Sequence, residues 1–177
     1  MSDLPIMQMH DLGTVPQAGT DVHIAASPEM REQLARWASV EAVKNFSADI
    51  ELKKTGLNRF AFEARWSADI VQSCVVTLEP VASHLVGALT RDLNLIRRAR
   101  RPHPDEVPSE PSERDLDDGR EDIDDPHYDL AAPILEDFAL AIDPYPRKDG
   151  VTFESEAAPA DKPESPFAAL KNLKIDR

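Results

Sequence analysis

The sequence predicts an α+β protein with an antiparallel sheet that is built on a long hairpin and covered by short helices, with a disordered acidic insertion. Two stretches of alternating apolar and polar residues, separated by one glycine-containing turn, indicate the hairpin. Two further stretches have apolar residues at helical spacing and indicate the covering helices. An acidic stretch with almost no large apolar residue indicates the insertion.

The composition limits the classes of function. A chain of 177 residues, 41% of them hydrophobic, can form one domain with a core, and its net charge of −13 opposes nonspecific attachment to nucleic acid or anionic membranes. Cys74 is the only cysteine, so no intrachain disulfide can form. Residues 1–16 lack the pattern of a signal peptide, and no apolar run reaches the ~20 residues of a membrane span. We therefore expect a cytoplasmic protein.

The chain begins with little periodicity. Residues 1–22 are interpreted as an N-terminal arm, either loose or forming an edge strand at Asp21–Ile24. Ser27 and Pro28 then favour the start of a helix, because serine caps the first turn and proline is tolerated there. The apolar residues that follow share one helical face: Met30, Leu34, Trp37 and Ala38. This helix is expected to cover the sheet.

The alternating pattern predicts the strands. Residues 46–53 and 60–70 alternate around the turn Thr55–Asn58, which indicates one wet and one buried face. The second strand is expected to continue over Val71–Leu78, with a bulge near Val71 because Gln72 falls on the apolar face. Glu79-Pro80 should end it, since proline cannot donate to a ladder. Residues 81–95 are predicted to form another strand.

We interpret residues 97–127 as a disordered acidic linker inside a single domain of residues 1–177. Residues 105–125 hold eleven acidic side chains against two arginines, a net charge of −9. A helix should follow, with Asp129 as its cap, Pro133 in its first turn and one apolar face: Leu130, Ile134, Leu135, Phe138 and Ile142. Residues 154–164 are predicted to be a C-terminal linker, and Ser165-Pro166 to start a short helix.

The sequence predicts no catalytic, metal or cofactor site. Its five histidines are scattered without i,i+3 or i,i+4 pairs, and no nucleophile elbow or glycine-rich phosphate loop occurs. Cys74 is interpreted as a small buried hydrophobe in an apolar strand. A protein that acts by binding is therefore favoured over an enzyme.

Two segments carry a family resemblance. The first is Cys74-Val75-Val76-Thr77-Leu78-Glu79-Pro80-Val81, and the second runs from Asp129-Leu130 through a helix to Asp143-Pro144-Tyr145-Pro146-Arg147-Lys148. Their order, the acidic linker between them and the closing Pro166-Phe167-Ala168-Ala169-Leu170 together resemble the YceD-like family of large ribosomal RNA subunit accumulation proteins, of the alphaproteobacterial type. The resemblance covers roughly residues 23–173.

The resemblance implies a role in accumulation of large-subunit ribosomal RNA, and hence in ribosome assembly. The family is also associated by gene neighbourhood with a small basic ribosomal protein of the large subunit. Many members carry a Cys-x-x-Cys pair where this chain has Cys74 and Thr77. If that pair binds metal or acts in redox chemistry elsewhere, this chain should have lost the ability, which favours a structural or binding role for the segment.

Both segments also have plain structural interpretations. Cys74–Val81 is either a core strand with its turn or a partner-docking edge. Pro144 and Pro146 either end a helix, with Tyr145 packed on the sheet, or hold a rigid aromatic contact. The candidate partner-binding residues are Cys74, Thr77, Leu78, Glu79, Pro80, Pro144, Tyr145, Pro146, Arg147 and Lys148.

The leading hypothesis is a non-catalytic assembly factor that binds a basic ribosomal or assembly protein, which its acidic tract attracts. The alternative is direct contact with ribosomal RNA phosphates, or simply a solvated linker start, at a basic run: Arg91, Arg97, Arg98, Arg100 and Arg101. Arg147 and Lys148 would add to the RNA contact. A third hypothesis, a thiol-dependent enzyme, requires activity that is lost in Cys74→Ser.

Overall fold

The structure is a computed structural model that describes residues 4–96 and 120–152. A five-stranded sheet has the order β2-β3-β4-β5-β6, and a two-stranded ribbon pairs β1 with β7. The strands are β1 (Met9–Asp11), β2 (Thr20–Ala25), β3 (Ala42–Lys54), β4 (Arg59–Ser73), β5 (Pro80–Leu95), β6 (Arg120–Ile123) and β7 (His127–Asp129), and the helices are α1 (Pro28–Trp37) and α2 (Ala132–Ala141). All strand pairs are antiparallel except β5–β6. The predicted α+β class is confirmed.

The long hairpin is confirmed as the centre of the sheet. β3 and β4 pair from Lys54↔Phe60 at the turn to Ala42↔Val71 at the far end. Alternate side chains of both strands are buried on one face: Phe46, Ala48, Ile50, Leu52, Phe60, Phe62, Ala64, Trp66, Ala68 and Ile70. Removal of this apolar face from water, at roughly 25 cal/mol per Å², is the main stabilisation that the alternating sequence encodes.

The irregularity expected near Val71 lies on the other strand. The register shifts between Val43 and Asn45 of β3, whereas β4 pairs with β5 without interruption. Gln72 remains on the buried face, 8% exposed, and its side-chain amide donates a hydrogen bond to the Asp143 carbonyl at 2.8 Å. Because that bond satisfies the buried amide, β4 needs no bulge there.

The strand predicted over residues 71–78 is too long. β4 ends at Ser73, and residues 74–79 form the turn of a second hairpin, in which Ser73 pairs with Pro80. The Cys74 amide donates to the Glu79 carbonyl at 2.8 Å, which closes the turn. Pro80 therefore starts β5, where its missing N–H costs least, rather than ending β4.

Helix α1 starts as predicted. The Ser27 hydroxyl accepts a hydrogen bond from the Met30 amide at 3.3 Å, and Pro28 occupies the first turn. Leu34 and Ala35 are buried against the sheet, with the rest of the expected apolar face partly buried around them. The helix packs mainly on β3.

Helix α2 starts later than predicted. It begins at Ala132, with Pro133 in its first turn. The Asp129 carboxylate instead accepts hydrogen bonds from the amides of Ala131 (3.0 Å) and Gln8 (2.8 Å). Asp129 thus joins the N-terminal segment to the start of α2 rather than capping the helix itself.

Aromatic contacts and one hydrogen bond hold α2 on the sheet. Phe138 of α2 lies edge-on to Phe46 and Trp66, with ring centroids 5.5 and 5.6 Å away. The Trp66 indole N–H donates to the Asp137 carboxylate at 2.7 Å. On the neighbouring strand, Trp66 lies opposite Gly87, and a Cβ at Gly87 would overlap the indole and stand 2.6 Å from Asp137 Oδ2. The absence of a side chain at this position therefore makes room for the contact.

The N-terminal arm is not loose over its described part. Ile6, Leu12 and Val15 are buried in the core, and the Leu12 amide donates to the Pro126 carbonyl at 2.9 Å. The edge strand expected around residues 21–24 is confirmed as β2. Residues 4–22 therefore form part of the domain, which corrects the expectation of an arm.

The acidic linker prediction is wrong for residues 120–127. β6 pairs in parallel with β5, and the side-chain amide of Asn94 donates to the Asp122 carboxylate at 2.8 Å. The high density of acidic residues did not predict the structure here. An edge strand is held by backbone hydrogen bonds, and β6 contributes only one partly buried apolar residue, Ile123. The predictions for residues 97–119, for the linker at 154–164 and for the helix from Ser165 fall outside the described residues.

Gly87→Ala should destabilise the fold by ~1–3 kcal/mol, because the new methyl group displaces Trp66 from its hydrogen bond with Asp137. Urea unfolding of the full chain measures this loss. Gly56→Ala is the matched control, since its added Cβ would come no closer than 3.3 Å to its neighbour, Arg59 Cβ, whereas a Cβ at Gly87 would stand 2.4 Å from the indole. Equal unfolding free energies for the two variants would contradict the role given to Gly87.

Candidate functional site

The two segments that the sequence analysis singled out, around Cys74 and around Tyr145, meet at the β4–β5 turn. The Val75 amide donates to the Pro146 carbonyl at 2.9 Å, and the Lys148 amide donates to Cys74 Sγ at 3.5 Å. The Lys148 ammonium contacts the Glu79 carboxylate at 2.9 Å. We call the exposed part of residues 74–79 and 143–148 the tip surface.

The end of α2 directs residues 143–148 to the turn. The helix stops at Ala141, and the Asp143 carbonyl is held by Gln72 of β4. The Asp143 carboxylate then accepts the Tyr145 amide at 2.8 Å, a local turn that proline on either side makes rigid. Pro146 is buried against the turn, while the Tyr145 side chain is 70% exposed. Of the two readings of this segment, packing of Tyr145 on the sheet is therefore wrong.

Cys74 lies in a turn, not in the strand in which the sequence placed it, although it is fully buried as expected. Its sulfur accepts hydrogen bonds from the Thr77 hydroxyl and from the amides of Lys148, Thr77 and Val76. These donors favour the thiolate, in that order of strength, and lower the pKa of Cys74 from about 9 to about 6. The buried Cys74 sulfur thus links the turn to Lys148, and its low pKa favours the thiolate.

The Glu79–Lys148 ion pair flanks this thiolate. The hydrogen bond from Lys148, and then its charge, lower the pKa of Glu79. Both side chains are about half exposed, so the pair contributes little stability by itself. It does place one positive and one negative charge at fixed positions on the tip surface.

The tip surface also exposes apolar side chains at a conformational cost. Leu78 adopts a left-handed backbone with φ of 60° and is 76% exposed. A non-glycine residue in this region costs on the order of 1 kcal/mol, and the leucine gains little burial in return. Val75 is also exposed on the same turn. Leu78, Val75 and Tyr145 are therefore exposed apolar side chains on two segments that a hydrogen bond joins, a combination typical of contact sites.

The remaining predicted partner-binding residues differ in their contacts and in their exposure to solvent. The Thr77 hydroxyl lies 3.4 Å from the Glu79 carboxylate and from the Glu79 amide, and it also lowers the pKa of Cys74. Pro80 and Pro144 are exposed at the ends of the two segments. Arg147 is exposed beside Pro146. The structure thus brings the two predicted segments together. Val75 of the tip surface was not among the predicted partner-binding residues, because an apolar residue after Cys74 indicated a continuing strand.

Arg91 is engaged within the protein. Its guanidinium contacts Glu136 of α2 at 2.6 Å and Glu121 of β6 at 3.3 Å. Partial burial acts to lower the pKa of Arg91, but these carboxylates outweigh it and raise the pKa above its usual value. A phosphate would have to displace both carboxylates, so the structure does not favour Arg91 as an RNA contact. Arg97, Arg98, Arg100 and Arg101 lie outside the described residues.

Within residues 4–96 and 120–152, no group of three or more His, Cys, Asp or Glu side chains is arranged to hold a metal ion. Neither helix in this part of the chain has the length and apolar character that crossing a membrane requires. The fold is that of an α+β protein, and its tip surface exposes apolar side chains. Comparisons with protein-family models, with curated proteins and with solved structures give no match.

The stability of the tip should depend on pH through Cys74. Its folded pKa of about 6 lies below the ordinary value near 9, so the stabilisation is present in full above pH 9 and is lost as the pH falls towards 6. We expect the difference in unfolding free energy between the natural chain and Cys74→Ala to grow from pH 6 to pH 9. Urea unfolding at several pH values measures it, and because other titrating groups cancel in the difference, a constant value would disprove a buried thiolate.

Proposed function

We propose that this protein is a non-catalytic ribosome-assembly factor that supports accumulation of large-subunit ribosomal RNA by binding a ribosomal or assembly protein. The observation that carries the proposal is the meeting of the two resemblance segments in one exposed surface. Segments that share a family pattern and also share a surface are more simply explained by one common contact than by two separate structural roles.

The chemistry of the tip supports binding rather than turnover. The one thiol at the tip is inaccessible and already holds several hydrogen bonds, so it is not poised to attack a substrate. Its exposed groups include two hydrophobic side chains of the turn, one tyrosine, one ion pair and the Arg147 side chain. Rigid aromatic and aliphatic side chains beside fixed charges supply affinity at low entropic cost.

The partner is proposed to be basic. The whole chain carries a net charge of −13, which speeds encounter with a positively charged protein and repels RNA. Association of this kind weakens as salt screens the charges, whereas the apolar contact at the tip does not. Capture of ribosomal or assembly proteins should therefore fall at high salt without vanishing.

Leu78→Gly should separate binding from folding. Glycine adopts the left-handed backbone without strain, so the unfolding free energy should change by less than about 1 kcal/mol, while the main apolar contact is removed. Affinity purification from cells, with mass spectrometry of the recovered ribosomal and assembly proteins, measures binding. We expect recovery to fall several-fold.

Leu57→Gly is the matched control for this loss. Leu57 is 88% exposed in the β3–β4 turn, at the opposite end of β4 from the tip surface. Its removal should leave recovery unchanged. Equal losses for the two variants, or no ribosomal or assembly protein recovered even with the natural chain at low salt, would refute the proposal.

The role in ribosomal RNA accumulation has its own test. Deletion of the gene should lower the ratio of large-subunit to small-subunit ribosomal RNA, and the full chain should restore it. A chain without residues 105–119 keeps β6 and leaves nine residues, 96–104, to join β5 to β6. The eight residues after Ile96 are enough to cover the ~13 Å from Ile96 back to Arg120. It should restore the ratio only partly if this acidic segment attracts the partner. An unchanged ratio after gene deletion would exclude the role.

A further inference from the structure

The face of the sheet opposite the core carries an ordered pattern that the tip surface does not use. Strand register places Asp21, Glu51 and Glu63 directly opposite one another on β2, β3 and β4, with Thr90 next on β5. Like charges at directly opposed positions destabilise a sheet. Lys53 offsets part of this repulsion through its contact with Glu51 at 2.7 Å. We call this line the acidic row.

Two further rows lie beside it. The next row along the strands is charge-compensated, since His23 contacts Asp49 at 2.7 Å and Arg65 lies opposite Asp49. The row after that consists of small side chains: Ala25, Ser47, Ser67 and Val86. Val86 is 67% exposed, and Ala88, at the β5 end of the compensated row, is exposed beside it. The face is thus acidic along one side and carries small, uncharged side chains along the other, with the apolar Val86 at its β5 end.

The dimensions match one helix. The acidic and compensated rows line a groove of about 440 Å³. Rows on one face are ~7 Å apart and neighbouring strands ~4.8 Å apart, so three rows across four strands cover roughly 14 by 14 Å. An α-helix with its side chains is ~10–12 Å wide. The net charge of the groove and its neighbour Lys53 is negative. The hydrogen bond that the Lys53 ammonium donates to the Glu51 carboxylate raises the pKa of Lys53, and the charges of Glu51, Glu63 and Asp21 add to this effect.

We propose that this outer face binds an amphipathic basic helix of the partner protein. Lysine or arginine side chains of that helix lie over the acidic row, where they remove the repulsion between Asp21, Glu51 and Glu63, and its small apolar residues lie over Val86 and Ala88. This inference rests on the proposed function for the existence of a basic partner, but it uses a surface separate from the tip. Nucleic acid is a poor occupant, because its phosphates would face the carboxylates.

The test is titration of the full chain, at low salt, with a synthetic helical peptide of roughly 18 residues, or five turns, that has lysine and arginine on one face and leucine and alanine on the other. Amide NMR shifts should change at Asp21, Glu51, Glu63 and Val86. Glu51→Gln combined with Glu63→Gln should weaken binding about tenfold, as expected for the loss of two opposed charges. Val86→Ser should weaken it at high salt as well.

The matched control is Glu32→Gln combined with Asp149→Asn, which changes net charge equally away from the groove and should leave affinity unchanged. Equal weakening by both double variants, shift changes confined to other residues, or no binding of the peptide would overturn the proposal. The NMR shift changes are measured on the natural chain. They therefore show whether the peptide binds the outer face even if a variant is unstable. If Leu78→Gly abolishes capture of cellular partners while the peptide fails to bind the outer face, the groove proposal falls and the proposed function stands.

Discussion

The contact between Trp66 and α2 determines where the C-terminal part of the domain lies. The indole occupies space that only a glycine on β5 leaves open, and its N–H is satisfied by Asp137. A hydrogen bond to a charged acceptor is worth ~1.5–3 kcal/mol, and each aromatic contact with Phe138 adds about 0.5–1.5 kcal/mol. With α2 fixed in this way, the chain after it reaches the far end of β4. The tip surface is therefore a consequence of packing in the middle of the sheet.

The sequence predicted those features whose causes are local. Alternation of apolar and polar residues defined the β3–β4 hairpin because a two-residue period is a property of the strand alone. Ser27 and Pro28 located α1 because a cap acts within one turn. The interpretation of Gln72 failed because its partner is the Asp143 carbonyl, far away in the sequence, and no local pattern shows that a buried amide will find such an acceptor.

Long-range pairing also explains the other differences. The order of β6 comes from parallel hydrogen bonds to β5, which composition cannot show, and its acidic side chains remain exposed or bind Asn94 and Arg91. The resemblance segments were visible as motifs, but their contact depends on α2. The sequence indicated a hydrophobe at Cys74 because one of the donors that lower its pKa, the Lys148 amide, is far away in the sequence. The acidic row depends on the register of three strands, so alternation predicted a wet face without its charge pattern.

Two features of the surface oppose folding stability: the left-handed backbone at Leu78 and the opposed carboxylates of the acidic row. Neither is required by the core, because glycine would serve at Leu78 and an uncharged residue at Glu63. They lie apart, since the strand from Glu63 to Ser73 is ~33 Å long at the usual rise per residue. One partner domain, or a helix of roughly 20 residues, spans such a distance. The same partner can therefore occupy both surfaces at once. Both features lower the stability of the fold, and they lie at two separated positions. One extended contact with a partner explains them more simply than two unrelated causes do.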